Sequence, residues 1–386
     1  MNLSHKILII PYFALEKYPS NSRLAFNNFY QKNFSRFDAL PFFGFLKKKT
    51  RLIYQPYNAE TLYYLSFSEI LGKENVYILG GLHDSFFLDD PSTIKYTNIE
   101  NYPDSYGYQK PNFISLNDAY ENIKMFDAIL TSSLLHKKNI KLLNLAKKKQ
   151  IKIAMLDMRD NRSTYFKYDK LDFFNNFDEK YFDLFFKKDY YFEYNFKNVF
   201  PLAPTPTTFK TPVKYLETKF NFFFKGRYRK NHTLKDRIEI ADIINNKFNN
   251  NFIEINSNNM PNDRLENIIR SSKFLISPSG ISWDSYRHSN YAKFCKPIIL
   301  PEPIIHTVGK PFKDLENCIT YKLKKSGNNF IISNMDEFIQ KIELILNDEK
   351  LANKLGMNYY DFIMKNHLSL NRAKYLINKI FQLNIN

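Results

Sequence analysis

Two stretches in the second half of the chain combine residue types that hold anions. In Phe222-Phe223-Phe224-Lys225-Gly226-Arg227-Tyr228-Arg229-Lys230, an apolar run passes directly into a glycine set among four cations. At the carboxyl end of a parallel strand, such a turn faces the crevice where open α/β sheets bind ligands. Glycine lets a phosphate come close to the main chain, while arginine forks and lysine charges neutralise it. Taken alone, the stretch also fits a solvated basic turn. The second stretch is Ser277-Pro278-Ser279-Gly280, which follows the apolar run Phe274–Ser277 and precedes Trp283-Asp284-Ser285-Tyr286-Arg287. Small residues at Ser279 and Gly280 permit close approach, and N–H groups at a helix start hold a phosphate or a ribose hydroxyl. Alone, it is equally an ordinary strand-to-helix loop. The pair is more informative than either member, because both close strands at the same edge of one predicted sheet.

Proton-handling residues lie elsewhere. His83-Asp84 follow the apolar run Val76–Leu79 and Gly80-Gly81, and Asp157 and Asp160 follow the run Ile151–Leu156. Each is a candidate general base, and a neighbouring carboxylate raises the basicity of an imidazole. His83 also reads as an ordinary loop histidine. His232 and His306 are weaker candidates for approaching a diphosphate, His288 reads as a packed or surface residue, and Trp283 reads as a core anchor or a stacking platform. Metal signatures are absent from the sequence: there is no Asp-x-Asp, His-x-x-x-His or Cys-x-x-Cys, and two cysteines make neither a disulfide framework nor a zinc site.

These residues need elements to position them. Strands are predicted at Lys6–Ile10, Arg51–Tyr54, Val76–Leu79, Asp127–Thr131 and Ile151–Leu156, with a helix at His136–Lys149. The aromatic stretch Tyr102–Phe113 reads as a long loop. Four prolines in 12 residues, Pro201 to Pro212, exclude helix and central strand alike and mark 201–213 as a linker. Beyond it the alternation restarts, with strands at Phe220–Phe224, Phe252–Ile255, Phe274–Ser277 and Pro297–Leu300. Helices are predicted at Leu234–Phe248, Arg264–Ser272 and Trp283–Phe294, and the C-terminal stretch is helical. Stripes at Phe338, Ile342, Ile345 and Leu346, and at Ala373, Leu376, Ile377, Ile380 and Phe381, read as core faces.

Alternating strands and helices over 386 residues predict an α/β protein of two domains, each of about 150–200 residues. The expected division is 1–200, linker 201–213, 214–365, and a C-terminal helix at 366–386 that packs back on the first domain. A net charge of +17, from 56 Lys+Arg against 39 Asp+Glu, favours anionic partners. The basic residues are scattered, however, and the richness in Lys, Asn, Ile, Phe and Tyr matches an AT-rich coding bias. No nucleic-acid partner is expected. Two cysteines and the lack of a long apolar run predict a cytoplasmic location, with any membrane contact peripheral.

The strand–Ser277-Pro278-Ser279-Gly280–helix segment, followed by Asn290-Tyr291-Ala292-Lys293-Phe294-Cys295-Lys296-Pro297-Ile298-Ile299, resembles the donor-binding half of GT-B glycosyltransferases. The family stretch there is Glu-Ala-x-x-x-Gly-Lys-Pro-Val-Ile. The Pro-Ser-Gly and Tyr286-Arg287 arrangement is similar to the exostosin-like branch. Tyr181–Tyr190 and Asn198–Leu202 are similar to the approach to the second domain in bacterial polysaccharide transferases, and Asp157–Asp160 occupies the place of an acidic turn there. The resemblance spans roughly residues 180–365 and is clearest over 220–300. It implies two Rossmann-like domains facing across a cleft and transfer of a sugar from a nucleotide-sugar donor to a glycan or lipid-linked glycan acceptor in surface polysaccharide synthesis. It implies no metal and no further cofactor. Donor-binding residues would be Lys225, Gly226, Arg227, Arg229, Lys230, Ser277, Ser279, Gly280, Trp283, Arg287 and Asn290. Catalytic candidates would be His83, Asp84, Asp157 and Asp160. The chain departs from the family at Asn290, where a glutamate holds the donor ribose, and at Cys295, where glycine is usual. An amide bonds a hydroxyl more weakly than a carboxylate does, and Glu302 is the substitute in reach. Asn290 also keeps open a non-catalytic scaffold of the same fold.

Overall fold

The computed structural model describes residues 4–10, 59–79, 109, 111–132, 137–157, 181–192, 194–203, 212, 216–225, 236–248, 252–255, 262–279, 283, 285, 287–326 and 329–383. The predicted strand Arg51–Tyr54 and the site candidates His83, Asp84, Asp160, Gly226, Arg227, Arg229, Lys230 and Gly280 lie outside them.

Among the described residues, the first half forms one parallel sheet. Its strands are β1 (Ile7–Ile10), β2 (Val76–Leu79), β3 (Asn112–Ile114), β4 (Ala128–Ser132), β5 (Lys152–Asp157), β6 (Leu184–Lys188) and β7 (Val199–Leu202), in the order β3-β2-β1-β4-β5-β6-β7. That order reverses between β1 and β4, as in a Rossmann sheet. Strand β1 shows why the sheet is covered on both sides. Ile7 and Ile9 join one apolar cluster while Leu8 and Ile10 join another, because successive side chains leave opposite faces of a strand. The first face is covered by helix α1 (Ala59–Leu71), and helices α2 (Leu116–Glu121) and α3 (Lys137–Lys148) follow β3 and β4.

The second sheet contains β8 (Phe220–Lys225), β9 (Phe252–Ile255), β10 (Ser272–Ile276), β11 (Ile298–Pro301) and β12 (Ile319–Tyr321). Its order, β12-β11-β10-β8-β9, is parallel throughout and reverses between β8 and β10. Phe223 and Leu275 face one cluster, and Phe222, Phe224, Phe274 and Ile276 face the other. Helices α4 (Asp236–Lys247), α5 (Asn262–Arg270), α7 (Met335–Asn347) and α8 (Glu349–Asn366) accompany this sheet, with a single-turn helix α6 at Arg287–Asn290 and a hairpin of β13 (Leu323–Ser326) and β14 (Asn329–Ile332). The fold is therefore α/β, with two Rossmann-like sheets.

Two expectations are corrected. Trp283–Phe294 is not one helix: α6 spans one turn and passes into a 3-10 helix at Tyr291–Phe294. Cys295, at φ 48, ends it in the left-handed region, and Pro297 prevents any continuation. Phe113, at the end of the predicted loop, lies in β3, a short edge strand. Pro201 is accommodated because β7 is also an edge strand, where a missing N–H costs no ladder bond.

The two sheets are tied together at two places. Helix α9 (Ser369–Phe381) returns from the second half to the first, where Ala373, Leu376, Ile377 and Ile380 are fully buried in the cluster of Ile7, Ile9 and Tyr63. Ser66 Oγ donates to Ser369 Oγ at 2.9 Å, and Lys152 Nζ donates to the Ile380 carbonyl at 2.7 Å. The second tie is a short antiparallel pairing of the chain leaving β6 with the chain leaving β11. Tyr191 bridges Ile305, and the His306 N–H donates to the Tyr190 carbonyl at 2.7 Å.

Gly356 permits the closest backbone approach in the second half. A Cβ there would lie 2.1 Å from the Cys295 carbonyl oxygen, so α8 packs main chain to main chain against the turn that enters β11. Alanine raises helix propensity by about 1 kcal/mol, but overpacking costs about 1–3 kcal/mol or more when backbone must move. Gly356→Ala is therefore expected to destabilise the protein. Urea unfolding would read this as a lower midpoint, and a raised midpoint would show that α8 and the 295–296 turn do not meet.

Candidate functional site

Strands β8 and β10 are adjacent and parallel, with Phe224 opposite Ile276. Their carboxyl ends lead into the two stretches singled out in the sequence, at the point where the strand order reverses. Chain connections diverge there to opposite sides and leave a crevice. Lys225 ends β8, and Ser277 and Ser279 follow β10 directly.

The loop after β10 is held by the start of α4. The Ser279 N–H donates to Asp236 Oδ2 at 3.1 Å, and Arg237 Nε donates to the Ser279 carbonyl at 2.6 Å. Asp236 is fully buried, and Tyr321 OH donates to the same Oδ2 at 2.6 Å. Burial raises the Asp236 carboxyl above its ordinary value, against the hydrogen bonds that stabilise its charge. One residue pair at the start of α4 therefore holds both polar groups of the Ser279 main chain.

On the other side of the loop, Ser277 is buried with its Oγ 2.8 Å from His288 Nδ1. His288 Nε2 lies 2.9 Å from the Trp283 carbonyl. A carbonyl only accepts, so Nε2 carries the hydrogen and Nδ1 accepts from Ser277. Trp283 in turn donates its indole N–H to the Glu302 carbonyl at 2.9 Å, and Tyr359 OH donates to the His288 carbonyl at 3.0 Å. Trp283 is thus a core anchor, 2% exposed.

Charge defines the site more than any single contact. Burial pushes the His288 imidazole down to about 3, and the Arg287, Arg237 and Lys188 cations push it the same way. The same two arginines act on Tyr291, whose hydroxyl burial raises to about 12. Arg287 and Arg237 of the second half and Lys188 of the first therefore all act against protonation of this imidazole. Arg287 starts α6, Arg237 starts α4, and Lys188 ends β6 of the first sheet. The arrangement suits a polyanion.

The sequence-predicted residues are distributed as follows. Ser277, Ser279, Trp283 and Arg287 lie together at the end of β10, beside Lys225. Asn290 closes α6, half-buried. Glu302 follows β11, its N–H donating to the Tyr321 carbonyl at 2.8 Å. Asp157 lies at the end of β5, fully buried, its Oδ2 2.6 Å from Lys187 Nζ, itself fully buried. Sequence reasoning passed over Arg237 and Lys188, and it read His288 as a packed or surface residue, of which the structure shows the packed one. The first two had a legible signal. Lys187-Lys188 follow the apolar run Leu184–Phe186 as Lys225 follows Phe222–Phe224, and Arg237 opens the helix after the cationic turn. His288 had none, because its role depends on burial. Among the described residues, no group of three or more His, Cys, Asp or Glu is placed to hold a metal ion, and no helix is long and apolar enough to cross a membrane.

No family model matches the sequence, and no curated protein sequence matches it. Solved structures similar to the chain include the lipopolysaccharide outer core galactosyltransferase WaaB in its apo form, with a TM-score of 0.48, 9% identity, and coverage of 98% of this chain and 99% of that one. Another is Anabaena Alr3699/HepE in complex with UDP and glucose, at a TM-score of 0.46, 7% identity, and coverage of 98% and 100%. TarM aligns with 67% of this chain at a TM-score of 0.44 and 10% identity, and the chain spans 55% of TarM's length. All three scores fall below one half, and none of the chemistry argued for this site draws on them.

The His288 assignment carries a pH signature. Its folded value of about 3 lies below the ordinary 6.5, so the unfolded chain binds the proton more readily. The stabilisation is complete above 6.5 and is lost as pH falls toward 3, at about 1.4 kcal/mol per pH unit for one proton. His288→Gln keeps a donor and an acceptor without a titrating group. Urea unfolding at pH 7, 6 and 5 should show a shallower pH dependence for the variant than for the parent, and equal slopes would rule out a buried neutral imidazole.

Proposed function

We propose that the protein is a glycosyltransferase of the GT-B type, moving a sugar from a nucleotide-sugar donor to a glycan acceptor in surface polysaccharide synthesis. The observation that supports this reading is the clamp of Asp236 and Arg237 on the Ser279 main chain, with the buried Ser277–His288 pair and Arg287 on the other side of the same loop, beside the crevice between β8 and β10. The sequence resemblance over residues 220–300 supports it independently.

In glycosyl transfer, an acceptor hydroxyl oxygen bonds to the anomeric carbon as the bond from that carbon to the donor diphosphate breaks. The departing diphosphate keeps the electron pair, and fixed cations stabilise the charge as it develops. Arg237 and Arg287 are the proposed partners of the diphosphate, with Lys225, Gly226, Arg227, Arg229 and Lys230 on the facing turn. Lys188 brings a charge from the first half, so donor binding would draw the two halves together and exclude water. Ser277, Ser279 and Gly280 line the approach, and Asn290 or Glu302 would hold the ribose. No metal is required, because cationic side chains do its work. His83 with Asp84 is the proposed base for an inverting reaction, ahead of Asp160. Asp157 is the weakest candidate, since its carboxylate is committed to Lys187. The proposed location is the cytoplasm, with peripheral contact at the membrane face near a lipid-linked acceptor.

Asn290 favours a second reading, a scaffold of the same fold without turnover, because an amide holds a ribose hydroxyl less firmly than a carboxylate. A heat-shift panel of nucleoside diphosphates and nucleotide sugars separates the possibilities, since a ligand that binds only the folded state raises the melting temperature. One nucleoside diphosphate should stabilise the protein. Arg287→Ala should weaken that ligand by about tenfold to a hundredfold, the loss of one or two hydrogen bonds to a charged group. Binding without turnover of any matching nucleotide sugar would leave the scaffold reading. No response to any nucleotide would remove both.

A further inference from the structure

Where α9 leaves the second half, the chain forms a small pocket of about 20 Å³, partly open to solvent, with room inside for little more than one small polar group. Five basic residues line it: His288, His306, Lys310, His367 and Arg372. No aspartate or glutamate is among its described lining residues, and neither are Arg237, Arg287 or Lys188. The pocket is therefore separate from the cations assigned to the donor, although it borders them through Ser285, His288 and Ser289.

His367 gives the pocket a specific demand. It is 2% exposed, and its Nδ1 lies 2.5 Å from Arg372 Nη2. A guanidinium only donates, so Nδ1 carries the lone pair and Nε2 carries the hydrogen. That Nε2–H has no hydrogen-bond partner among the described residues. The Lys310 carbonyl is the backbone acceptor acting on this imidazole, and it favours the protonated ring against the larger opposing effects. Burial and then the Arg372 charge hold the imidazole well below the ordinary histidine range, so it stays neutral and keeps one donor for the pocket. The ring cannot swing away, because Phe312 stacks on it at 5.7 Å and Phe362 packs at 4.6 Å. His306 also has a buried Nε2 without a partner, and its ring is held between Tyr190 at 4.8 Å and Phe192 at 5.0 Å. A buried donor left unsatisfied costs about 1–3 kcal/mol. A ligand that supplies an acceptor oxygen removes that cost, and Lys310, exposed at the rim, favours an oxygen carrying negative charge.

We propose that this pocket binds the acidic group, carboxylate or phosphate, of a saccharide acceptor, with His367 Nε2–H donating to one oxygen and Lys310 opposing its charge. The substrate class rests on the glycosyl-transfer reading, while the anion pocket stands on its own geometry. Ser285, Ser289 and Thr307 also line the pocket.

The test uses the full chain, with glucuronate, glucose 6-phosphate, glucose and inorganic phosphate as probes. Binding is followed by heat unfolding and by the ¹H–¹⁵N signal of the His367 Nε2–H. At least one acidic sugar should bind about tenfold or more tighter than glucose and should shift that signal, as a charge-assisted hydrogen bond requires. The stronger of glucuronate and glucose 6-phosphate identifies the acidic group. Lys310→Glu should remove about tenfold of that affinity and leave nucleoside diphosphate affinity within about twofold. Equal binding of glucose, no binding of either acidic sugar, or inorganic phosphate binding as well as both would overturn the proposal. So would a Lys310→Glu variant that loses nucleotide instead, because the pocket would then belong to the donor. Acidic-sugar binding with no response to any nucleotide would keep the pocket and remove only the transferase reading.

Discussion

The second sheet's functional end depends on one constraint: positive charge must be held together around a group that cannot share it. His288 meets that constraint by remaining neutral. Its two nitrogens are tied to Ser277 and to the Trp283 carbonyl, so it fills space and polar valence among Arg287, Arg237 and Lys188 without adding a fourth charge. Protonating the imidazole there would bury a charge, and the Arg287, Arg237 and Lys188 charges oppose it as well. The hydrogen-bond chain from Ser277 through His288 and Trp283 to Glu302 therefore does two jobs. It fixes the loop after β10, and it keeps the charge count at a value the fold tolerates.

Backbone geometry serves the same end. Asp236 and Arg237 clamp the N–H and the carbonyl of Ser279 from one helix start, so the loop after β10 is held by the element that follows β8. On the far side, Gly356 lets α8 touch the Cys295–Lys296 main chain, which sets where β11 begins and hence where Glu302 receives the Trp283 indole. Helix α9 then carries the chain to the first sheet and packs among Ile7, Ile9 and Tyr63. The Tyr191–Ile305 bridge fixes the opposite side of the junction. Lys188 reaches the neighbourhood of His288 because both ties hold.

Most of the fold was legible because its strands are short apolar runs buried on both faces. Val76–Leu79 and Phe252–Ile255 could be read to the residue, and β1, β4, β5, β8 and β11 to within one or two. Helix α1 was missed because AETLYYLSFSEIL is apolar almost all round and shows no clear stripe. Strand β3 escaped because its three residues carry too little pattern. The segment 283–294 was read as a helix from composition, and tertiary crowding against α8 overrode that propensity. For the site, positions at strand ends were visible from the apolar-then-small or apolar-then-cationic grammar. Partners were not. Neither the Asp236 clamp on Ser279 nor the tautomer of His288 follows from spacing, since each requires knowing which atoms water no longer reaches.

Buried charge and unsatisfied donors are a strain on a fold's stability. In the second half this strain takes two forms. Around His288 it is the desolvated charge of Arg237 and Lys188, offset in part by the buried Asp236 carboxylate. At His367 it is an unsatisfied donor next to Arg372, relieved by any acceptor oxygen. Neither arrangement improves packing, because apolar residues of similar volume would fill the same space without desolvating charge. Both lie beside the junction between the two sheets, where closure would strengthen every electrostatic contact by excluding water. A molecule that met both demands at once would have to carry phosphate on one side of the loop Ser285–Ser289 and an acidic group on the other. Two separate ligands meeting there, one bearing a diphosphate and one bearing an acidic sugar, satisfy the same pair of demands with less strain on either.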